Sequence, residues 1–364
     1  MDKLRVGFIG VGRITDLHYL GYKDNPNAEL HAVCGADPDL LHQRANEWGV
    51  EKTYDDYRRL LDDPEVDAVE VITPHHLHAE ITVAALEAGK HVSVQKPMAL
   101  NLTEADAMLA AASRSGKLLR VMENYRYYGP FNKAKELIEA GEIGDPLSIR
   151  IKSLSGNVRY GWDIPQTSKA WRSDASRSGQ GSIVFDHGHH IWSIARYFLG
   201  DVERVFAFFG RTKVVEHLEI QAGAFMDSPI MVTWKYAGQD RFGSWDCVDS
   251  QDMMVRTKYY PIEVFLEITG SRGLLWVNRC TGEMLDKPPV ELYRDGVMTG
   301  FSNVDADYGN SFARGVRDFW DAVVEGRQQS ELTGPEAREV LRFALAIVRS
   351  GQERQEVYLD EITD

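Results

Sequence analysis

The chain has 364 residues, 43% of them hydrophobic, 26% charged and 10% aromatic, the composition of a well-packed globular protein and not of a disordered one. That length exceeds what one ordinary core takes, so two domains are expected. The formal net charge of −14, with Lys and Arg scattered among the acids, argues against a nucleic-acid partner, and no run approaches the roughly 18 apolar residues that a membrane span requires.

The opening residues, Met1-Asp2-Lys3-Leu4-Arg5, carry no signal-peptide pattern and lead straight into an apolar run, so a cytoplasmic location is expected. The first third then alternates strand and helix. Strands are read at Leu4–Ile9, Leu30–Val33, Val66–Ile72, His91–Val94 and Leu118–Met122. Helices are read after Gly12 and at Leu40–Trp48, Ala79–Ala88 and Thr103–Ser115, with Gly89 and Gly116 behind the last two. Short strands separated by such helices imply right-handed βαβ units and a doubly wound parallel sheet.

The pattern changes near Tyr125. Phe131–Ala140 reads as a helix and Leu147–Leu154 as a strand with one solvated face. Period-2 runs follow at Val205–Arg211, Leu218–Phe225, Ile230–Tyr236, Ile262–Ile268, Leu274–Val277 and Val290–Tyr293. Two amphipathic helices, Phe312–Gly326 and Pro335–Ser350, end the chain. The expected fold is an α/β Rossmann domain, residues 1–124, followed by an α+β domain, residues 125–364, for substrate binding and oligomerisation. The second domain would hold a large, mostly antiparallel, open-faced sheet, with the C-terminal helix in reach of the Rossmann domain. The cysteines Cys34, Cys247 and Cys280 are odd in number and lack zinc spacing, so free, buried or half-buried thiols in a reducing compartment are expected.

Gly10-Val11-Gly12-Arg13-Ile14-Thr15 closes the first strand and opens the first helix. Two glycines allow a tight turn and close approach to a pyrophosphate, whose charge the helix N-terminus stabilises; Gly10, Gly12, Arg13 and Ile14 are therefore cofactor candidates. Thr15 stands where the dinucleotide fingerprint has Gly or Ala. Asp37 follows the second strand where a carboxylate binds ribose hydroxyls, which favours NAD over NADP; the other reading is a turn acid before Pro38.

Five stretches in order then give a resemblance: GFIGVGRIT at Gly7–Thr15, ITPHHLHAEITVAALEAGKHVSVQKP at Ile72–Pro97, GPFNKAKELIEAGEIGDP at Gly129–Pro146, FDHGHHIWSIARYFLG at Phe185–Gly200, and the tail TGPEAREVLRFALAIVRSG. Together they resemble the Gfo/Idh/MocA oxidoreductases. The resemblance implies an NAD(P)-dependent enzyme acting on a secondary alcohol of a sugar, sugar derivative or cyclitol, and a homodimer or homotetramer. It also places the family lysine on Lys96, before a peptide bond that is often cis, and the family's Asp and His on Asp186 and His190. Four residues apart on a helix, those two would share a face. Lys96 would stabilise a developing alkoxide and His190 would take the hydroxyl proton, while Asp186 would hold a second hydroxyl or orient the imidazole.

The same resemblance puts Thr73, Pro74, His78, Gln95 and Lys96 near the cofactor. For His78 a packed structural role is the alternative. Arg126, Tyr160, Trp171, Arg172 and His189 are the substrate-side candidates, although His187 and His189 also read as surface or interface residues. Tyr125, Tyr127 and Tyr128 belong to the cleft or the hinge, and the Met253–Tyr260 segment to an oligomer contact or a lid. No metal is expected, despite the three histidines His187, His189 and His190. Two positions depart from the family: Gln95 replaces a glutamate before the lysine, and Ser193 replaces an acid beyond the histidine. The alternatives to a simple dehydrogenase are an enzyme that uses tightly bound NAD transiently, oxidising and re-reducing a glycoside around an elimination or hydrolysis, and a non-catalytic nucleotide-binding regulator.

Overall fold

The computed structural model describes residues 3–162, 171–172, 174–179, 182–213, 225–327 and 331–364. Six parallel strands form the first sheet: β1 (Leu4–Ile9), β2 (Ala28–Cys34), β3 (Lys52–Tyr54), β4 (Ala68–Val71), β5 (His91–Gln95) and β6 (Leu119–Met122). Their order is β3-β2-β1-β4-β5-β6, all pairs parallel. Central strands carry runs such as Val6 to Ile9 and Ala68 to Val71 because helices cover both faces, and these side chains are buried. The covering helices are α1 (Thr15–Tyr19), α2 (Pro38–Trp48), α3 (Tyr57–Leu61), α4 (His78–Glu87) and α5 (Leu102–Ser115). The strand order reverses between β1 and β4, which opens a crevice at the carboxyl ends of the strands.

Beyond α6 (Gly129–Glu139) the second sheet begins with β7 (Pro146–Ser155). A short helix α7 (Ala175–Ser178) precedes a π-helical turn over Ser182–His187, which runs directly into α8 (Gly188–Leu199). The remaining strands are β8 (Val202–Phe209), a ribbon of β9 (Thr212–Lys213) and β10 (Phe225–Met226), β11 (Ile230–Tyr236), β12 (Phe242–Asp249), β13 (Ile262–Gly270), β14 (Gly273–Val277), β15 (Val290–Arg294), β16 (Val297–Phe301) and β17 (Val357–Tyr358). Eight of them join β7 in one nine-stranded sheet, in the order β16-β15-β14-β13-β7-β12-β11-β8-β17, antiparallel except between β7 and β12. The expected strand over Leu218–Phe225 lies almost wholly outside the described residues.

One face of this sheet packs on α8 and on α10 (Gly334–Glu353), where Trp192 meets Trp245 at 5.0 Å, Phe343 at 5.2 Å and Trp234 at 6.2 Å. α8 is thereby clamped between the sheet and a long helix, which fixes the residues on its other side. The helix α9 (Tyr308–Glu325) starts earlier than its apolar periodicity shows, because Asp307 caps it through the N–H groups of Gly309 and Asn310. It crosses to the first domain: Trp320 donates to the Tyr22 hydroxyl at 2.7 Å and Asn124 to Ser311 at 3.0 Å. α10 reaches the same domain through Arg338 and Asp106. No helix among the described residues is long and apolar enough to cross a membrane, and Cys34, Cys247 and Cys280 are free and buried.

Candidate active site

The crevice between β1 and β4 is lined by the Gly10–Thr15 loop. Gly10 has φ +106°, and a Cβ there would stand 2.2 Å from the Ile72 carbonyl oxygen, so only glycine fits. A Cβ at Gly12 would meet nothing within 4 Å, which leaves open space over the loop for a pyrophosphate. Thr15, the departure from the fingerprint, is fully buried and donates its hydroxyl to the Gly12 carbonyl, closing the turn from within. Arg13 pairs with Asp16 at 2.9 Å and lies over the Trp162 ring at 4.3 Å. Ile14 is half-buried beside it.

Asp37 is exposed and caps α2, accepting from Asp39 and Leu40 through one oxygen. It is thus a cap acid at the end of β2, with its second oxygen turned to neither N–H group. Across the crevice, Thr73 and Pro74 follow β4, and the buried Thr73 hydroxyl has no partner within the protein. His78 is fully buried, with Nδ1 2.8 Å from the Pro97 carbonyl and Nε2 2.9 Å from that of Thr73. Burial pushes its pKa down to about 4 against the pull of the two carbonyls, and the neutral ring, with a single N–H, donates to one of the two turns at a time. The orphaned Thr73 hydroxyl, the open space at Gly12 and the exposed carboxylate of Asp37 fit a dinucleotide.

The Lys96–Pro97 peptide that follows β5 is cis. Lys96 Nζ donates to the Asp186 backbone oxygen at 2.8 Å and forms an ion pair with Asp186 Oδ1. The other oxygen of Asp186 accepts from Arg172 Nε at 3.2 Å, and His75 Nε2 lies 3.7 Å from Oδ1. Burial alone would raise the Asp186 carboxyl, but Lys96, His75 and Arg172 outweigh it and hold it well below the usual range. Trp171 packs edge-on against His75 at 4.7 Å and carries the Arg172 guanidinium over its ring at 4.4 Å. Asp186 sits in the π-helical turn and His190 in the first turn of α8, so the two lie at a junction and not on one uniform helix face.

His190 Nδ1 is 2.6 Å from Oε1 of Glu123, a fully buried acid at the end of β6. Tyr125 stacks on the imidazole at 4.4 Å with an interplanar angle of 12°. Burial raises the Glu123 carboxyl, yet the histidines His190 and His189 and the Tyr125 N–H bring it down to about 2. An ionised Glu123 takes the hydrogen of Nδ1 and leaves Nε2 of His190 as the open nitrogen. Gln95 and Met122 are register partners on β5 and β6, so the Lys96 turn and Glu123 emerge side by side.

The substrate-side candidates divide. Trp171 and Arg172 stand at Asp186, and Tyr160 is 46% exposed on a 3-10 turn after β7. Arg126 is buried, with Nε donating to Ser193 at 2.9 Å and its terminal nitrogens paired with Glu331 and Glu336. Ser193, the second departure from the family, therefore still meets Arg126, while acids from the C-terminal segment balance the charge. His189 is fully buried and His187 half-buried: burial pushes both down to about 3, and neither nitrogen of His189 has a partner. Tyr127 and Tyr128 bond to Asp318 and the Ala306 carbonyl at the domain junction. Tyr259 and Tyr260 of the long segment pack on Trp162, whose ring also meets Arg13.

Residues that local reading missed are Glu123, His75 and Asp227. Asp227 accepts from Ile183 N at 3.0 Å and Val184 N at 2.8 Å, capping the segment that bears Asp186 and His190.

Residues 4–123 match the family described as "Oxidoreductase family, NAD-binding Rossmann fold", and residues 131–275 match the GFO/IDH/MocA C-terminal domain. The chain belongs to the Gfo/Idh/MocA oxidoreductases. Among relatives in this family, the myo-inositol 2-dehydrogenase of Thermotoga maritima is 29% identical over 99% of both chains. The levoglucosan dehydrogenase of Pseudarthrobacter phenanthrenivorans is 35% identical over 56% of this chain and 53% of that protein. A solved levoglucosan dehydrogenase, in complex with NADH and levoglucosan, superposes with a TM-score of 0.82 at 26% identity, covering 98% of this chain and 100% of that one. Like these Gfo/Idh/MocA proteins, the chain is an NAD-dependent oxidoreductase acting on CH–OH groups.

Proposed function

We propose that the protein oxidises a secondary alcohol of a sugar, sugar derivative or cyclitol, with Lys96, Asp186 and His190 as the reacting group. The observation that carries this reading is the pairing of two built units at adjacent strand ends, Lys96 with Asp186 and His190 with Glu123. NAD, held by Gly10, Gly12, Arg13, Ile14, Asp37, Thr73, Pro74 and the Gln95–Lys96 turn, supplies the hydride acceptor when bound. Lys96 donates a hydrogen bond to the reacting oxygen and stabilises its charge as the proton leaves. His190 takes that proton at Nε2, since its Nδ1–H is committed to Glu123. Asp186 keeps Lys96 and Arg172 in place and offers an acceptor to a neighbouring hydroxyl. Tyr160 and Trp171 provide flat apolar surface of the kind that pyranose and cyclitol rings use.

The test is absorbance at 340 nm with NAD or NADP against inositols, aldoses, uronates and glycosides. A sustained rise with one substrate, reduced about 100-fold or more in Lys96→Ala and His190→Ala, supports the proposal. Consumption of a glycoside with no net NADH and with NAD co-purifying would replace it with transient redox chemistry. Nucleotide binding with no substrate consumed across the panel would leave a non-catalytic regulator. The protein is further proposed to assemble as a homodimer or homotetramer through the outer face of its nine-stranded sheet, where Phe208 and Met231 are exposed register partners.

A further inference from the structure

Gln95, one of the two departures from the family, joins a buried polar chain that the proposed reaction does not use. Its Oε1 accepts the Lys96 backbone N–H at 2.7 Å, and its Nε2 lies 3.0 Å from His18 Nε2. On the far side of that ring, His18 Nδ1 bonds to Glu70 Oε2, and Glu70 Oε1 accepts the Tyr22 hydroxyl at 2.5 Å. The Tyr22 oxygen accepts in turn from Trp320 Nε1 at 2.7 Å. His18 and Glu70 are fully buried, and Phe312 meets the imidazole edge-on at 5.3 Å.

Every hydrogen in this chain is assigned by its neighbours. The Lys96 N–H only donates, so the amide oxygen of Gln95 faces it and the NH2 group faces His18. Burial alone would raise the Glu70 carboxyl, but the hydrogen bonds it accepts from the His18 ring and the Tyr22 hydroxyl, with the Arg120 charge nearby, bring it down. An ionised carboxylate only accepts, so His18 carries its hydrogen on Nδ1 and presents a lone pair at Nε2, which the Gln95 amide fills. A glutamate at position 95 would set a carboxylate oxygen against that lone pair. It would fit only if the ring took a second proton and sat between two carboxylates.

We propose that Gln95 and Glu70 are a matched pair: the carboxylate that the family has beside its lysine stands one imidazole away, on Glu70, and Gln95 is a positioning residue that holds the Lys96 peptide through the His18 tautomer. This rests on reading Lys96 as part of the reacting group. Its consequence at the site is that, among the described residues, Asp186 is the one carboxylate paired with the Lys96 ammonium.

Two measurements test it. In protein labelled with ¹⁵N-histidine, His18, assigned by the loss of its signals in His18→Gln, is expected as the Nδ1–H tautomer near neutral pH. An Nε2–H tautomer or an imidazolium overturns the proposal whether or not a substrate has been found. The second exchanges the carboxylate. Q95E is expected to lower kcat about tenfold or more with little change in KM for NAD, because a buried acceptor now faces an acceptor. Its activity should fall further as pH rises, since it needs the doubly protonated ring; the charged and titratable groups facing that ring and its partner are Glu70, residue 95, Tyr22 and Arg120. E70Q/Q95E keeps one carboxylate and reverses the tautomer, and should return kcat to within about threefold of wild type together with the original pH profile. A double variant no better than Q95E, or Q95E with the wild-type pH profile, sinks the idea. Thermal melting of each variant separates loss of fold from loss of positioning, and the tautomer measurement needs neither carboxylate variant.

Discussion

In the proposed reaction Glu123 decides which nitrogen of His190 is free to take a proton. Its Oε1 accepts both the imidazole Nδ1–H and the Tyr125 N–H, so the ring is fixed in tautomer and, by the stacked Tyr125, in plane. Glu123→Gln keeps the shape and removes the anion that stabilises a charged imidazole. We expect kcat to fall about 10- to 100-fold, because the anion that balances the charge arriving on the imidazole is gone. An unchanged kcat would reduce Glu123 to a packing role. Lys96, Asp186 and His190 were named through the family resemblance, which rests on short stretches such as Gln-Lys-Pro and Asp-His-Gly-His-His. Glu123 was not, since an acid after an apolar strand looks like any strand-end acid until the fold brings it to residue 190. His189 is the reverse case. Its neighbours in the motif gave it a functional look, yet it is buried with both ring nitrogens unpartnered.

Among elements, the Ser182–Leu199 segment matters most, because it carries Asp186 on a π-helical turn and His190 on the α-helix that follows. A π-turn leaves its first N–H groups poorly served, and Asp227, in the turn between β10 and β11, supplies acceptors to two of them. Asp227→Ala should cost about 0.5–2 kcal/mol of stability, the range for losing a helix cap, and should lower kcat/KM by loosening Asp186. Thermal melting paired with kinetics checks this; a destabilised variant with unchanged kcat/KM would show that the cap holds the fold and not the site. Nothing local announces such a cap, because partner and helix are separated by β8 and the ribbon after it. The strand β12 was hidden for a different reason. Its Gly243 reads as a turn residue, but it pairs with Trp234, and a Cβ there would lie 2.0 Å from the indole ring. Glycine is present because the ring lies over it, a cross-strand arrangement that only the register reveals. The Rossmann half, in contrast, was readable nearly strand by strand, since parallel strands buried on both faces are continuous apolar runs; the three-residue edge strand β3 was too short to stand out.

At the scale of the whole molecule two properties follow from what is left exposed and what is enclosed. The outer sheet face keeps Phe208 64% and Met231 44% exposed, with Asp246 opposite Met231 and Lys152 opposite Asp246 on the next strand, a mixture suited to a partner with the same face. Light scattering is expected to give a dimer or tetramer for the wild type and a smaller species for Phe208→Asp/Met231→Lys; an unchanged mass would move the interface elsewhere. The enclosed histidines set the response to acid. Burial pushes His78 and His91 down to about 4, His187 and His189 to about 3, and His75 well below its ordinary value. In the unfolded chain each titrates near 6.5, so between that value and the folded one the unfolded state binds more protons. Stability therefore rises with pH across this window: it is complete above about 6.5 and declines as pH falls toward 4 and then 3. Each histidine adds up to about 1.4 kcal/mol per pH unit to the slope. Carboxylates held low, such as Glu123 at about 2, contribute the same sign in a lower window, below their ordinary value near 4.5. Denaturant unfolding near pH 5 should consequently take up several protons, and His187→Asn should reduce that uptake by about one. Uptake near zero would mean that these rings reach water in the folded protein, and would remove the basis for treating the helix that carries His190 as a dry, rigid platform.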